Sequence, residues 1–339
     1  MRTPAHAEKL ITPAMLVVGV GLATVPLWIS RVGLYPYLGI EILIWSLYAL
    51  AFNLLLGTAG LPSFGHGAYF GAGAYAFGLF QFNVAANLWL CLSAALLAGA
   101  LAGALVSLFV SHRRGIYYAF MTIAFGQILW VVAIKSHSVT GGEDGLLKIA
   151  RLPADFGVAS IDLTSNTALY YFVLAIFLIT IMTMWRVTHS PFGRVLSAIR
   201  QSETRAAHLG YPVRRYKMAA LTLSTALSGL AGGLFAMAQN SAFPDVMSLH
   251  YSGIIVMMVL VGGGMVSFWG PVIGVVVYLV ARDVLGAFTN SWMLWFGLLF
   301  MAIVLFKPEG IAGAVQAWRK GLDPKLSRGS ARLAHVLKG

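Results

Sequence analysis

The stretch RVTHSPFGRVLSAIRQSETRAAHLGYPVRRYK, residues 186–217, lies between long uncharged apolar runs and carries seven Lys/Arg against one acid, Glu203. Its surplus of positive charge is half of the chain's net +12. Basic residues beside membrane-spanning helices resist translocation, which places this segment on the cytoplasmic side. Residues 195–209 are expected to form one short helix, apolar at Val195, Leu196, Ile199, Ala206 and Leu209. Gly210 supplies the stop and Pro212 follows it. A helix of this kind facing the cytoplasm implies something there that grips it.

Outward from this segment, composition fixes the class. The chain of 339 residues is 59% hydrophobic and 10% charged, with a mean hydropathy of +0.82, whereas a soluble domain carries about 25% charged residues. Uncharged runs occupy residues 10–30, 42–112, 115–134, 163–185, 218–244, 246–281 and 284–306. About 20 apolar residues cross a bilayer, so each single-length run supplies one helix. Residues 42–112 are broken at GTAGLP (57–62) and again around Asn83 and Asn87, which predicts three crossings. Residues 246–281 are interrupted by Gly262, Gly263 and Gly264 and by Gly270-Pro271, which predicts two short ones. The expectation is an all-α integral membrane protein of about ten helices. Its parts are a cytoplasmic tail at 1–10, a membrane domain at 11–308 and a basic cytoplasmic tail at 309–339.

Orientation is read from charge. Arg2 and Lys9, then Arg113 and Arg114, then residues 186–217, then Lys307 with the tail all fall on one side under a ten-helix count. The loop 135–162 has three basic and four acidic residues and is placed outside. Arg31 alone violates the bias. The first run lacks a small-x-small cleavage pattern after Trp28 and reads as an uncleaved helix.

Missing features narrow the function. No Gly-x-x-x-x-Gly-Lys-Ser/Thr occurs, so the chain has no phosphate-cradling loop and any work done with ATP must come from a partner. Cys91 is the only cysteine, which excludes an internal disulfide and a multi-cysteine metal site. No acid lies in the middle of an uncharged run, which leaves no carboxylate relay of the kind expected in proton-coupled pumps.

The membrane part has its own signature in NLLLGTAGLPSFGHGAYFGAGAYAFGLF, residues 53–80. Gly67 with Gly71, and Ala68 with Ala72 and Ala76, recur at four-residue spacing and predict close helix packing. Asn53 and His66 need partners at membrane depth; they either cap interrupted helix ends or line a polar path, and for His66 the structural role is favoured. Ser63 beside His66 offers a poor hydrolase alternative, because Gly60 lies one position too far for a nucleophile elbow and no acid is near in sequence.

With RRGIYYAFMTIAFGQI (113–128), TGGEDGL (140–146), GGGMVSFWGPVIG (262–274) and FKPEGIAG (306–313) added to the two stretches above, the chain resembles the branched-chain amino acid ABC transporter permeases, LivM-type inner-membrane subunits, over roughly residues 40–315. The resemblance implies a multi-pass protein of a bacterial inner membrane that forms the translocation path for leucine, isoleucine and valine. It implies a second homologous permease subunit, two cytoplasmic ATP-binding subunits holding ATP and Mg, and a periplasmic substrate-binding protein. It implies no cofactor in this chain, no enzymatic activity of its own, and no partner beyond these except membrane lipid, nucleic acid being excluded.

Under the resemblance the basic segment becomes the ATPase-coupling loop, with Arg200, Glu203, Arg205, Ala206, Ala207 and Gly210 in a diverged Glu-Ala-Ala…Gly signature. The alternative is a solvated amphipathic helix resting on anionic lipid. Asn53, Ser63, His66, Gln127, Gly262, Gly263 and Gly264 are assigned to the path or its helix breaks. Gly141, Gly142, Glu143, Asp144 and Gly145 are expected to dock the binding protein, two acids meeting basic residues; the alternative is a turn whose acids face water. Two rivals stand: a sister permease for urea or short-chain amides, and a secondary transporter or channel, which would have no need of the 186–217 helix.

Overall fold

The computed structural model describes residues 19, 21–28, 35–156, 160–289, 291–307 and 309–315. The expected first span falls largely outside these residues, apart from a helical turn at Val25–Trp28; Arg2, Lys9, Arg31 and the tail beyond residue 315 also lie outside them. By contact the chain divides into two compact units, Met1–Ile255 and Val256–Gly339.

In the first unit α1 (Pro36–Asn53) starts on a proline at its first turn, where the missing N–H costs nothing. It then loosens into a π-helix, Leu54–Ala59, which ends at Gly60 with φ of 69°. After residues 60–65, α2 (His66–Asn83) begins. α3 (Leu88–Val110) is capped by Asn87, whose side chain accepts from the Trp89 and Leu90 amides. α4 (Gly115–Lys135) and α5 (Asn166–His189, capped by Ser165) follow, then two short helices, α6 (Pro191–Gln201) and α7 (Glu203–His208). α8 (Val213–Gln239) is the longest. Its 27 residues span about 40 Å at 1.5 Å each.

The core of this unit is α8 against α1, α2 and α3. Gly73 of α2, Gly99 of α3 and Gly229 of α8 meet backbone to backbone, where any Cβ would overlap the neighbouring helix. Gly67 and Gly71, expected to admit another helix, admit the 3-10 turn Pro244–Met247 with Ser248 and, at Gly67, Ser252 of the helix that follows. Trp45 of α1 stacks on Phe70 and Tyr251 with centroids 5.9 and 6.0 Å away.

The two ends of the unit are distinguished by their contacts. At one end Arg114 pairs with Glu203 and Lys217 bonds Arg113 O, so the 113–114 turn and the basic segment share a face. At the other, Leu146–Leu147 pairs antiparallel with Ser241–Ala242, and the Ile149 amide donates to Asn240 O. A second short pairing joins Ala154–Asp155 to Ser160–Ile161.

α9 (Leu249–Gly262) passes from the first unit into the second, which holds α10 (Gly270–Phe288) and α11 (Trp292–Phe306). Tyr278 meets Phe296 edge to face at 4.8 Å there.

Among the described residues, six helices are long and apolar enough to cross a membrane: residues 36–59, α3, α4, α5, α8 and α10. α9 and α11 are shorter apolar helices. The all-α membrane architecture stands, and ten is an approximate count. One expectation is corrected. Residues 195–209 are not one helix, because Ser202 leaves the helical region (φ −164°, ψ 107°) and its hydroxyl caps α7 by accepting from the Arg205 amide.

Candidate functional site: a broken helix pair and its charged latch

The π-turn frees backbone groups that a continuous helix would have paired, and buried side chains take them up. The amide of Leu61 reaches back to Leu55 O at 2.9 Å. The Ser224 hydroxyl donates to Ala51 O at 2.6 Å, and His66 Nε2 lies 3.0 Å from Ser224 Oγ. Since that hydroxyl has one proton and spends it on Ala51, Nε2 must be the donor in this second bond. His66 Nδ1 is then free to accept from Ser63 Oγ at 3.3 Å. Ser63, His66 and Ser224 are fully buried. Both ring nitrogens face serines rather than a carboxylate, so the arrangement lacks the orienting acid of a hydrolase triad.

The first turn of α2 is anchored from two more sides. The Phe64 amide donates to Thr122 Oγ1 of α4 at 3.1 Å, and the Gly67 amide to Ser252 Oγ at 2.9 Å. Gly65 lies so close to Thr122 O and Gly126 that a side chain there would overlap backbone. Ser224 stands eleven residues into α8, so α2 begins near the middle of that helix rather than at its end. The start of α2 is met by residues 60–65, which lead into it, and by the carbonyls of Val246 and Ser248, which lie against Gly67. Asn53, at the junction of α1 and the π-turn, is buried with its Oδ1 unpartnered among the described residues. Gln127 follows Gly126 on α4, partly exposed and outside the His66 network.

The other assigned residues fall elsewhere. In the second unit Gly263 (φ 83°) and Gly264 close α9, their amides bonding Leu260 O and Val259 O at 3.1 and 2.9 Å, the usual bonds of a glycine-terminated helix. In the loop 135–162, Gly141, Gly142 and Gly145 all have positive φ, and the turn they make leaves Glu143 and Asp144 side by side and exposed. At the far end of this loop Asp162 is held below the usual carboxylate range by hydrogen bonds from the Thr164 hydroxyl and amide.

At the end that carries the basic segment, Arg200 of α6 donates to Gly57 O of the π-turn. Glu203 turns inward, with Arg114 Nε at 3.1 Å on one oxygen and Lys217 Nζ at 3.1 Å on the other. Ala206 is buried, while Arg205 and Ala207 are exposed and Leu209 is 76% exposed. Gly210 (φ 85°) ends α7 with the same pair of bonds that ends α9, Gly210 N to Ala207 O at 2.9 Å and Tyr211 N to Ala206 O at 3.3 Å.

A family model described as the permease component of the branched-chain amino acid transport system matches residues 37–307. The chain belongs to that permease family. The permease is 29% identical over 324 residues, 90% of its own length and 75% of the relative's, to the high-affinity branched-chain amino acid transport system permease protein LivM of Escherichia coli K12. The LivM of Salmonella typhimurium gives the same figures. A probable LivM of Methanocaldococcus jannaschii is 22% identical over 329 residues, 80% of this permease and 92% of that protein. No solved structure matches it significantly.

The residues that hold the break and the latch in this permease include several that sequence reasoning passed over: Thr122, Ser224 and Ser252 at the break and Lys217 at the latch. Hydroxyls inside apolar helices carry little signal because they can bond their own preceding turn, as Thr225 does to Leu221 O at 2.9 Å. A usable signal did exist on α8. Lys217, Ser224 and Ser228 lie on one helical face at intervals of seven and four.

Proposed function

We propose that the chain forms part of the membrane path of an ATP-driven importer for leucine, isoleucine and valine in a bacterial inner membrane. Its membrane domain, residues 11–308, pairs with a second homologous permease subunit and takes its amino acid from a periplasmic binding protein. Two cytoplasmic subunits bind ATP with Mg and do the hydrolysis; this chain binds no cofactor. The observation that carries the reading is the α1–α2 break, an interrupted backbone held by buried hydroxyls and an imidazole near the middle of α8 in a member of this permease family. Interrupted membrane helices are where transport proteins expose backbone groups to cargo. In this reading Asn53, Ser63, His66 and Gln127 belong to the path and its break, with Gly262, Gly263 and Gly264 as a second helix break. The exposed face of α7, with Arg205, Ala207 and Leu209, meets the ATPase groove. Arg200 and Glu203 carry its motion inward. Glu143 and Asp144, raised on Gly141, Gly142 and Gly145, meet basic residues of the binding protein.

The test is reconstitution of the chain with its four partner subunits in vesicles. Radiolabelled leucine should enter only when ATP and loaded binding protein are both present, and the isolated chain should hydrolyse no ATP. Uptake of urea or a short amide in place of leucine would move the substrate assignment, and leucine uptake without ATP would overturn the importer reading.

A further inference from the structure

We infer that Lys217 is a positioning residue that clamps the coupling helix α7 to α8, so that a push on α7 travels along α8 to the break at His66. This rests on the proposed role of α7 as the ATPase contact. The Lys217 side chain is wholly buried, with 0% of its surface exposed. Its ammonium donates to Glu203 Oε1 at 3.1 Å and to Arg113 O at 2.5 Å, and lies 5.8 Å from the centroid of the Tyr118 ring. One side chain of α8 thereby reaches the start of α7, the α3–α4 turn and α4 itself. The second oxygen of Glu203 is taken by Arg114 Nε, and Arg114 Nη1 also bonds Thr204 Oγ1 at 3.3 Å. The first turn of α7 is gripped on both sides.

A buried ammonium cannot release its carboxylate without leaving an unpaired charge, so α7 and the cytoplasmic end of α8 are obliged to move together. Lys217 and Ser224 are seven residues apart, two turns along the same face and about 10 Å on the helix axis. Ser224 holds both His66 Nε2 and Ala51 O. One helical face thus carries the latch at one end and the support of the break at the other. A contiguous chain of contacts is only an invitation to measure coupling.

The measurement uses the complete reconstituted importer and reads ATP hydrolysed per leucine taken up, with co-purification of the ATPase subunits as a separate readout. Lys217→Met and Glu203→Gln should each raise that ratio about five-fold or more while the ATPase subunits remain bound. The double variant should be no worse than the more affected single one, because the two groups act as a unit. Arg114→Gln, at an exposed position, should raise the ratio by a smaller factor. A wild-type ratio in Glu203→Gln overturns the inference, as do additive effects in the double variant. If Lys217→Met fails to assemble, Glu203→Gln and Arg114→Gln decide alone. Failure of the underlying reading looks different: Ala207→Glu would then keep both its ATPase subunits and its uptake, whatever the Lys217 variants do.

Discussion

Ser224 is the residue on which the break depends most directly. Replacing it with alanine leaves the Ala51 carbonyl and the His66 Nε2–H without partners in a buried site, each an uncompensated polar group. Such groups cost about 1–3 kcal/mol apiece. Ser224→Ala should therefore lower the thermal unfolding midpoint in detergent, and Ser228→Ala, whose hydroxyl bonds only Ser224 O in its own helix, should lower it much less. Equal midpoints for the two variants would contradict this account of the site. Asn53 and His66 were legible in the sequence because an amide and an imidazole stand out in an apolar run. Ser224, Thr122 and Ser252 were not, since nothing local distinguishes a hydroxyl that bonds a distant helix from one that bonds its own. Gly67 and Gly71 were legible as points of close approach, but the spacing could not say whether a helix or an irregular segment approaches.

Among elements, the α6–α7 pair shows how a local rule cut a pattern that periodicity had joined. The apolar positions from Val195 to Leu209 fit one helix, yet Ser202 caps a new one, and a capping serine inside an amphipathic run is easily read as a surface residue. The glycine stop was readable and is present. Gly210 has φ of 85° and open space where a Cβ would stand, so a substitution there acts through the backbone alone. Gly210→Val should disturb the end of α7 at a cost of about 1–3 kcal/mol, the scale of a β-branched residue forced to positive φ. Faster amide exchange in residues 203–211, with α8 unaffected, is the expected signature; uniform protection would exclude it. Gly210→Asn, which tolerates positive φ, should restore most of the protection. The break itself was legible from GTAGLP (57–62), but the π-turn at Leu54–Ala59 was beyond the sequence, because LLLGTA carries nothing that separates a π-turn from the last turn of an α-helix.

For the whole molecule, uncharged runs and loop charges carried most of the architecture. The contacts of Arg113 and Arg114 with the basic segment place at one end what charge bias had placed on one side. Reporter fusions at residues 145 and 205 should report opposite faces of the membrane, and agreement between them would discard the topology. Span number was less legible, since length alone cannot say whether α9, α11 and the interrupted α2 cross fully. The way α2 is anchored also sets an order of events during synthesis. The amide of Gly67 waits for a serine 185 residues further along the chain, and His66 for one 158 residues further. Ribosomes add about 5–20 residues per second, so the start of α2 spends roughly 10–40 s without its final partners. Unpaired groups at that depth are not tolerated in lipid, and the segment must be sheltered until α8 and α9 emerge. A chain stopped at residue 210 should leave residues 60–67 open to protease, or to thiol labelling of a cysteine introduced there, whereas one stopped at residue 265 should protect them; newborn chains of this permease are vulnerable for about half of their own translation.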